Sequence, residues 1–274
     1  MIILLPPSEG KNFPDPSTKS SAKGQLSRSE LLAALPFNQE LQSSREQVLD
    51  ELTSLPLSEE TFETVGVTIR KQDEVAATLE MFSYPPQAAR EVYSGVLYQA
   101  ADWNQWKSNA VAENCFVVSA LWGLVRPSDL IHAYRCPMGT KLPQLGALKS
   151  FWKQPISKVL NRLAQDELIV DLRSGTYQSV WPATQKQAEQ AKCVFVPVKV
   201  VTLVKGVEKV VSHNAKHARG ELAGFLVKNN LSCKTPEELL QAAQAMALDG
   251  GYSVREARLE DKSERVFELI LRTE

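Results

Sequence analysis

The segment Ser119–Lys141, SALWGLVRPSDLIHAYRCPMGTK, constrains the fold most, because it joins turn chemistry and fixed positive charge directly to an apolar strand. Phe116-Val117-Val118 is β-branched and aromatic, as a buried strand requires. Gly123 followed by Arg126-Pro127 then turns the chain immediately. Pro127 fits the first turn of a short helix, where backbone donors lack partners. Arg126 and Arg135 flank this turn with charge that does not titrate near neutral pH. Two readings stand: a site for phosphate or another anion, or a loop whose arginines pair with Asp129 and backbone carbonyls.

The rest of the chain alternates β and α signals. Ile2 to Leu5 reads as a buried strand stopped by Pro6-Pro7, followed by the Pro-rich loop PPSEGKNFPDP and a polar Ser/Lys stretch up to about Arg28. Residues 29 to 55 and 58 to 82 read as amphipathic helices interrupted at Pro36 and Pro56, and residues 87 to 101 as a further helix. Residues 148 to 165 form a helix and Leu168 to Leu172 an apolar strand. Residues 195 to 204 and 207 to 212 read as two strands turned at Lys205-Gly206. A helix is expected over 216 to 230, and Thr235-Pro236-Glu237-Glu238 is a complete helix start. The tail reads as a hairpin of 252 to 259 with 265 to 272, turned at Glu260 to Ser263.

Charge narrows the partners. A formal net charge of -1 excludes a uniformly basic nucleic-acid coat but allows a local basic cleft. Residues 28 to 80 hold eleven acids against four Lys/Arg, whereas residues 192 to 228 hold seven Lys/Arg against Glu208 and Glu221 alone, so the second segment suits a polyanion. Cys115, Cys136, Cys193 and Cys233 lack the paired spacing of a zinc site, and no secretory leader precedes them. The opening apolar run is far shorter than the roughly 20 residues that span a bilayer. These features imply a cytoplasmic protein with reduced thiols, no membrane partner, no cofactor and no metal.

Three more motifs present chemistry. Pro7-Ser8-Glu9-Gly10-Lys11 follows a strand directly, with Gly10 admitting close backbone approach and Lys11 supplying charge. It is not a phosphate-binding Walker loop, since only the Gly-Lys pair is present and Asn12 stands where a hydroxyl is needed. The run Asp171 to Ser179 carries Ser174, Thr176 and Tyr177 past a strand end, where α/β proteins present hydroxyls to a ligand. Turn formation alone also accounts for it. In His213 to Gly220, Lys216, His217 and Arg219 crowd the expected start of a helix, where the macrodipole disfavours cations and an anionic partner would relieve them. His213 and His217 share a helical face, but no acid lies between them as in H-E-x-x-H.

Four ordered blocks resemble the peroxide stress protein YaaA family. They are Leu5 to Lys11, Tyr93-Ser-Gly-Val-Leu-Tyr98, Ser119 to Leu130 continuing through Tyr134-Arg135 and Met138-Gly139, and Ala215-Lys-His-Ala-Arg-Gly220. The third is the most specific, being similar to the family's L-S-G-L-Y-G-V-L-R-P-L-D pattern. The resemblance implies a compact single-domain fold over residues 1 to 274, mixed α/β in the α+β sense, with a central mostly mixed β-sheet flanked by helices. It also implies a role in limiting oxidative damage by intracellular iron and peroxide. A basic cleft for double-stranded or distorted DNA and a helix-hairpin-helix-like element, placed at the Gly123 turn, come with it. His217 stands where the family commonly has Lys, and the loop from Ser174 to Ser179 lacks the acid and lysine of many members.

The expected DNA- or anion-binding residues are Lys11, Arg126, Arg135, Lys141, Lys216, His217 and Arg219. Ser8, Tyr98, Ser174, Thr176 and Tyr177 are the expected ligand-orienting groups, and no catalytic residue is assigned. The alternative is an enzyme acting on a nucleobase, nucleotide or other small anionic, phosphate-bearing ligand. A long open groove favours the first reading, and a closed pocket with buried Ser174 and Tyr177 the second.

Overall fold

The computed structural model describes residues 1–19 and 26–274, so most of the polar stretch expected before Arg28 lies outside the described residues. Strand β1 (Ile2–Leu5) leads into helices α1 (Arg28–Ala34), α2 (Asn38–Thr53), α3 (Glu59–Thr64) and α4 (Gln72–Leu79). The short strand β2 (Gln87–Ala88) and helices α5 (Ala89–Val92) and α6 (Val96–Ala100) follow. The middle of the chain supplies β3 (Cys115–Ser119), β4 (Gly123–Val125), β5 (Leu130–Ile131), β6 (Lys141–Leu142) and β7 (Gly146–Ala147), then α7 (Leu148–Phe151) and α8 (Lys153–Leu163). Next come β8 (Leu168–Asp171), α9 (Gln185–Ala191), β9 (Val194–Val204), β10 (Val207–Lys209) and α10 (Ser212–Lys228). Helix α11 (Pro236–Asp249) and the hairpin of β11 (Val254–Ser263) with β12 (Val266–Thr273) finish the chain.

The main sheet runs β11-β12-β9-β8-β1-β3-β4, with β10 paired to β9. Its five inner strands, β12, β9, β8, β1 and β3, are mutually parallel, and β4, β10 and β11 are antiparallel additions. Parallel strands need cover on both faces, and β1 meets that demand with four apolar residues, all buried. The chain leaves β1 toward β3 on one side and β8 joins on the other, so the loops that leave β1 and its two neighbours diverge. That reversal opens a crevice at the carboxyl edge of the sheet. The mixed sheet flanked by helices is the fold class expected from sequence.

The region around Gly123 departs from expectation. Strands β3 and β4 form a hairpin, with Ser119 opposite Gly123 and Val117 opposite Val125. The glycine turn therefore joins two strands, and the helix-hairpin-helix placed there is not formed. Gly123 has φ +69, and a Cβ on it would lie 3.1 Å from the Trp152 ring. Pro127 starts no helix. It lies in a turn where the Asp129 carboxylate accepts the Arg126 N–H at 2.5 Å. The hairpin wins because Leu124 and Val125 continue the buried apolar pairing of β3. Fully buried Arg45 of α2 holds the bend, donating from Nε to the Trp122 carbonyl at 2.9 Å and from Nη2 to the Leu124 carbonyl at 3.1 Å.

Other boundaries move for local reasons. Residues 29 to 55 divide into α1 and α2 at Pro36, with Phe37 at φ 58. The expected helix over 87 to 101 is split into β2, α5 and α6, because the Gly10–Asn12 backbone lies against Val92–Ser94. The tail hairpin turns at Glu264-Arg265 instead of 260 to 263, since Ser263 still pairs with Val266. Helix α10 starts at Ser212, four residues before the expected position, so Lys216 lies a full turn inside the helix and the macrodipole argument for crowded cations loses force there. Among the described residues, no helix is long and apolar enough to cross a membrane.

Helix α10 crosses α6 through two glycines. A Cβ on Gly220 would fall 2.1 Å from the Leu97 carbonyl oxygen, and one on Gly224 2.7 Å from that of Ala101. Backbone cannot yield as a flexible side chain does, so Gly220→Ala is expected to lower unfolding free energy by about 3 kcal/mol. Gly139→Ala, with nothing within 4 Å of its Cβ, is the neutral control. Urea denaturation midpoints measure both; equal midpoints would mean that the helix crossing does not require glycine.

Candidate functional site

A cleft of about 600 Å³ occupies the carboxyl edge of the sheet. One wall is the loop Pro6–Lys11 after β1, and another is Leu172, Ser174, Thr176 and Tyr177 after β8. The Arg135–Pro137 segment, the start of α6 and the Lys216–Arg219 face of α10 complete it. A second cavity of about 460 Å³, walled by Trp106, Phe225 and Tyr252, holds none of the residues expected to act. Charge and motif coincide only in the first.

Lys11 sits on an aromatic bed. Its Nζ lies 4.4 Å from the Tyr134 ring centroid and 5.7 Å from that of Tyr93, and it donates to the Ser8 carbonyl at 2.6 Å. No carboxylate lies within ion-pairing distance of it among the described residues. Burial, then the neighbouring Arg135 guanidinium, lowers its pKa to about 7, which favours the neutral amine relative to a solvated lysine. The tyrosine bed is fixed from below: Tyr93 and Tyr134 share a hydroxyl contact at 3.1 Å, and Tyr134 meets the Ser119 hydroxyl at 2.7 Å. Burial keeps both phenols protonated by raising their pKa values.

The β1 loop owes its shape to Gly95. A Cβ there would lie 2.9 Å from Ser8 Cβ, so α6 can begin this close to the loop only with glycine. Ser8 is buried and donates its hydroxyl to the Gly10 carbonyl, while Tyr98 donates to the Pro6 carbonyl at 2.6 Å. Both line the cleft, yet both hydroxyl protons are committed to the loop.

The β8 loop is organised by a fully buried ion pair. Arg173 Nε and Nη2 meet the two Asp171 oxygens at 2.8 and 3.0 Å, and the remaining donors take the Tyr177 and Trp181 carbonyls at 3.0 and 2.6 Å. Every carbonyl so held fixes the path of the loop that carries Ser174, Thr176 and Tyr177. Tyr177 accepts the Met138 N–H at 3.2 Å through its hydroxyl oxygen, which leaves its proton unassigned.

The cleft gathers Lys11, Arg135, Lys216 and Arg219 with Ser8, Tyr98, Ser174, Thr176 and Tyr177. Arg219 spends Nε and Nη2 on the Val198 carbonyl at 3.0 and 2.8 Å, and Lys216 is exposed without an ion pair among the described residues. Arg135 differs, because Glu74 neutralises it. Three expected residues lie elsewhere. The β3–β4 register carries Arg126 toward the amino end of β3, where its guanidinium rests 5.5 Å from the Phe116 ring. Lys141 is exposed on β6, away from the cleft lining. His217 turns to a shallower pocket with His213, its Nδ1 3.4 Å from Glu221 Oε1.

Sequence reading missed Glu74 and Cys136. Glu74 belongs to an acidic helical stretch that reads as a solvated face, and only the fold brings it to Arg135. Cys136 lines the cleft as a neutral thiol, its pKa pushed by burial up to about 12.

The family model described as peroxide stress protein YaaA matches residues 1–257. The chain is similar to a UPF0246 protein of Streptomyces coelicolor, at 36% identity over 98% of this chain and 97% of that one. UPF0246 proteins of Corynebacterium glutamicum and Corynebacterium efficiens are 33% and 34% identical, each over 90% of this chain and 94% of their own length. Matches of this length take in the whole cleft, and the chain belongs to the peroxide stress protein YaaA family.

Proposed function

We propose that this protein serves the peroxide stress response by holding distorted double-stranded DNA at its basic cleft, with an unpaired nucleotide turned inward, and so limits iron- and peroxide-dependent damage. The observation that carries this reading is the convergence of Lys11, Lys216 and Arg219, none paired with a carboxylate among the described residues, on one crevice faced by Glu9. Uncompensated cations suit phosphate, and contacts to phosphate are independent of sequence. A volume of about 600 Å³ suits one nucleotide, not a duplex, so on this reading the duplex is distorted to place one nucleotide in the cleft. Four free, buried cysteines fit a reducing cytoplasm. A second reading, an enzyme acting on a nucleobase, nucleotide or other small phosphate-bearing substrate, is favoured by the partly neutral Lys11 amine.

If phosphate contacts dominate, affinity for a duplex with a single unpaired nucleotide falls steeply with salt. Lys216→Ala is expected to reduce the log-log slope by about 1. Arg126→Ala and Lys141→Ala, outside the cleft, should leave it unchanged. Fluorescence anisotropy across a salt series decides this, and a slope that responds to Arg126 but not to Lys216 would move the interface away from the cleft.

The same titration has a predicted pH dependence. The Lys11 pKa is lowered to about 7 in the free protein, and a bound phosphate favours its protonated form, so binding takes up a proton. Affinity therefore rises as pH falls through about 7, and Lys11→Gln flattens the response at weaker binding. His217→Gln should not alter it, since His217 faces Glu221 and Ser253. A pH response abolished by His217→Gln and kept by Lys11→Gln contradicts the assignment.

A further inference from the structure

We propose that the Lys11 amine captures an aldehyde in the cleft as an imine, the aldehyde being carried on a phosphate-bearing sugar such as the ring-opened deoxyribose of an abasic site in DNA. The proposal rests on the phosphate-binding reading of the cleft given above and names what enters it.

Lys11 is fixed at its backbone by an antiparallel bridge to Tyr93, and its Nζ lies over the Tyr134 ring inside the cleft lining, with the Ser8 carbonyl as its one hydrogen-bond partner among the described residues. A lysine that only clamps phosphate is best left solvated and charged. This one is buried without a carboxylate partner and beside Arg135, surroundings that favour a neutral, nucleophilic amine against the pull of the Tyr134 ring face toward the ammonium. The charged and titratable groups facing it are Arg135, Glu74, Glu9 and Cys136, with Tyr93 and Tyr134 beneath. The Glu74 carboxylate is engaged by Arg135 and Lys71.

The neighbours supply what the reaction needs. Lys216 and Arg219 line the same cleft and suit the phosphate, which brings the sugar carbon toward the amine. The nitrogen lone pair forms the N–C bond to the carbonyl carbon, and the carbonyl π pair moves to oxygen, which takes a proton to become the carbinolamine hydroxyl. That hydroxyl then leaves as water while nitrogen loses its remaining proton and the C=N bond forms. The two amine protons thus depart with the carbonyl oxygen, and no oxidant or reductant is consumed. The Tyr177 phenol suits the proton shuttle, because burial keeps it protonated and its oxygen accepts the Met138 N–H, leaving its own proton to give. Ser8 and Tyr98 do not compete for this role, since their protons go to Gly10 and Pro6 carbonyls. Peroxide and iron generate strand sugars with aldehyde ends by radical attack, so such carbonyls arise under the conditions the family's name describes.

The test incubates the full chain with a labelled duplex containing one abasic site, in sodium cyanoborohydride, and looks for a covalent adduct by denaturing gel. Proteolysis and mass spectrometry of the wild-type adduct locate the modified lysine. Free 2-deoxyribose 5-phosphate replaces the DNA in a parallel arm. Anisotropy with the same duplex, without reductant, measures binding separately. The expected result is an adduct on Lys11 that Lys11→Arg abolishes with an unchanged melting temperature, whereas Lys141→Ala, outside the cleft, keeps both the adduct and the duplex affinity. Capture should accelerate about tenfold from pH 6 to 8, opposite in sign to the affinity trend, as the amine loses its proton. Duplex binding without an adduct, or an adduct on another lysine, overturns the imine and leaves the DNA reading intact. An adduct on Lys11 from the sugar phosphate but not from DNA upholds capture and overturns the DNA source. Absence of both duplex binding and any adduct overturns both readings.

Discussion

Four apolar residues, Ile2 to Leu5, carry parallel neighbours on both sides and are buried on both faces, and the rest of the molecule is arranged around that requirement. A strand so placed has no room for polar chemistry along its length, so chemistry is displaced to where it ends. Because β3 and β8 are parallel to it, three strand ends reach the same edge within a few residues of register, with Leu5 opposite Val117 and Leu4 opposite Asp171. Burial of hydrocarbon thereby positions Lys11, Arg173 and Ser119 relative to one another without any direct bond between them.

The buried Asp171–Arg173 pair adds to this at the edge itself. Two residues apart in sequence, they exchange charge at full burial, where an isolated partner would be costly. Their worth lies less in net energy than in the carbonyls that Arg173 collects, which give the following loop one path. Polar residues in this edge therefore fall into two kinds. Arg173 spends its donors on Asp171 and backbone carbonyls, and Ser8 and Tyr98 spend theirs on backbone alone, whereas Lys11, Lys216 and Tyr177 keep something to offer a ligand.

Much of this was legible in the sequence. The strands at Ile2, Phe116 and Leu168 are short apolar runs with abrupt polar ends, and that pattern marks Lys11 as part of an anion loop and Ser174 as a ligand-facing hydroxyl, whereas Lys216 stands out as a cation at an expected helix start. Arg126 was not placed correctly by the same reasoning, because a glycine after a strand signals a turn without saying whether a strand or a helix follows. One hairpin in place of a helix sent Arg126 to the opposite end of β3. His217 leaves the cleft for a related reason: adjacency in sequence is about 100° of rotation on a helix, enough to divide neighbours between two pockets. The pairing of Glu74 with Arg135 spans 61 residues and left no local trace.

The crossing of α6 and α10 at Gly220 and Gly224 brings main chain against main chain. Gly95 at the head of α6 abuts Ser8, and α10 carries Lys216 and Arg219, so two walls of the cleft are joined through glycines at which any side chain would collide. The spacing of those walls is thus a fixed dimension, one that a side chain at either crossing glycine would change. The third wall carries the exposed Thr176, and a longer side chain there would narrow the opening without moving the other two walls.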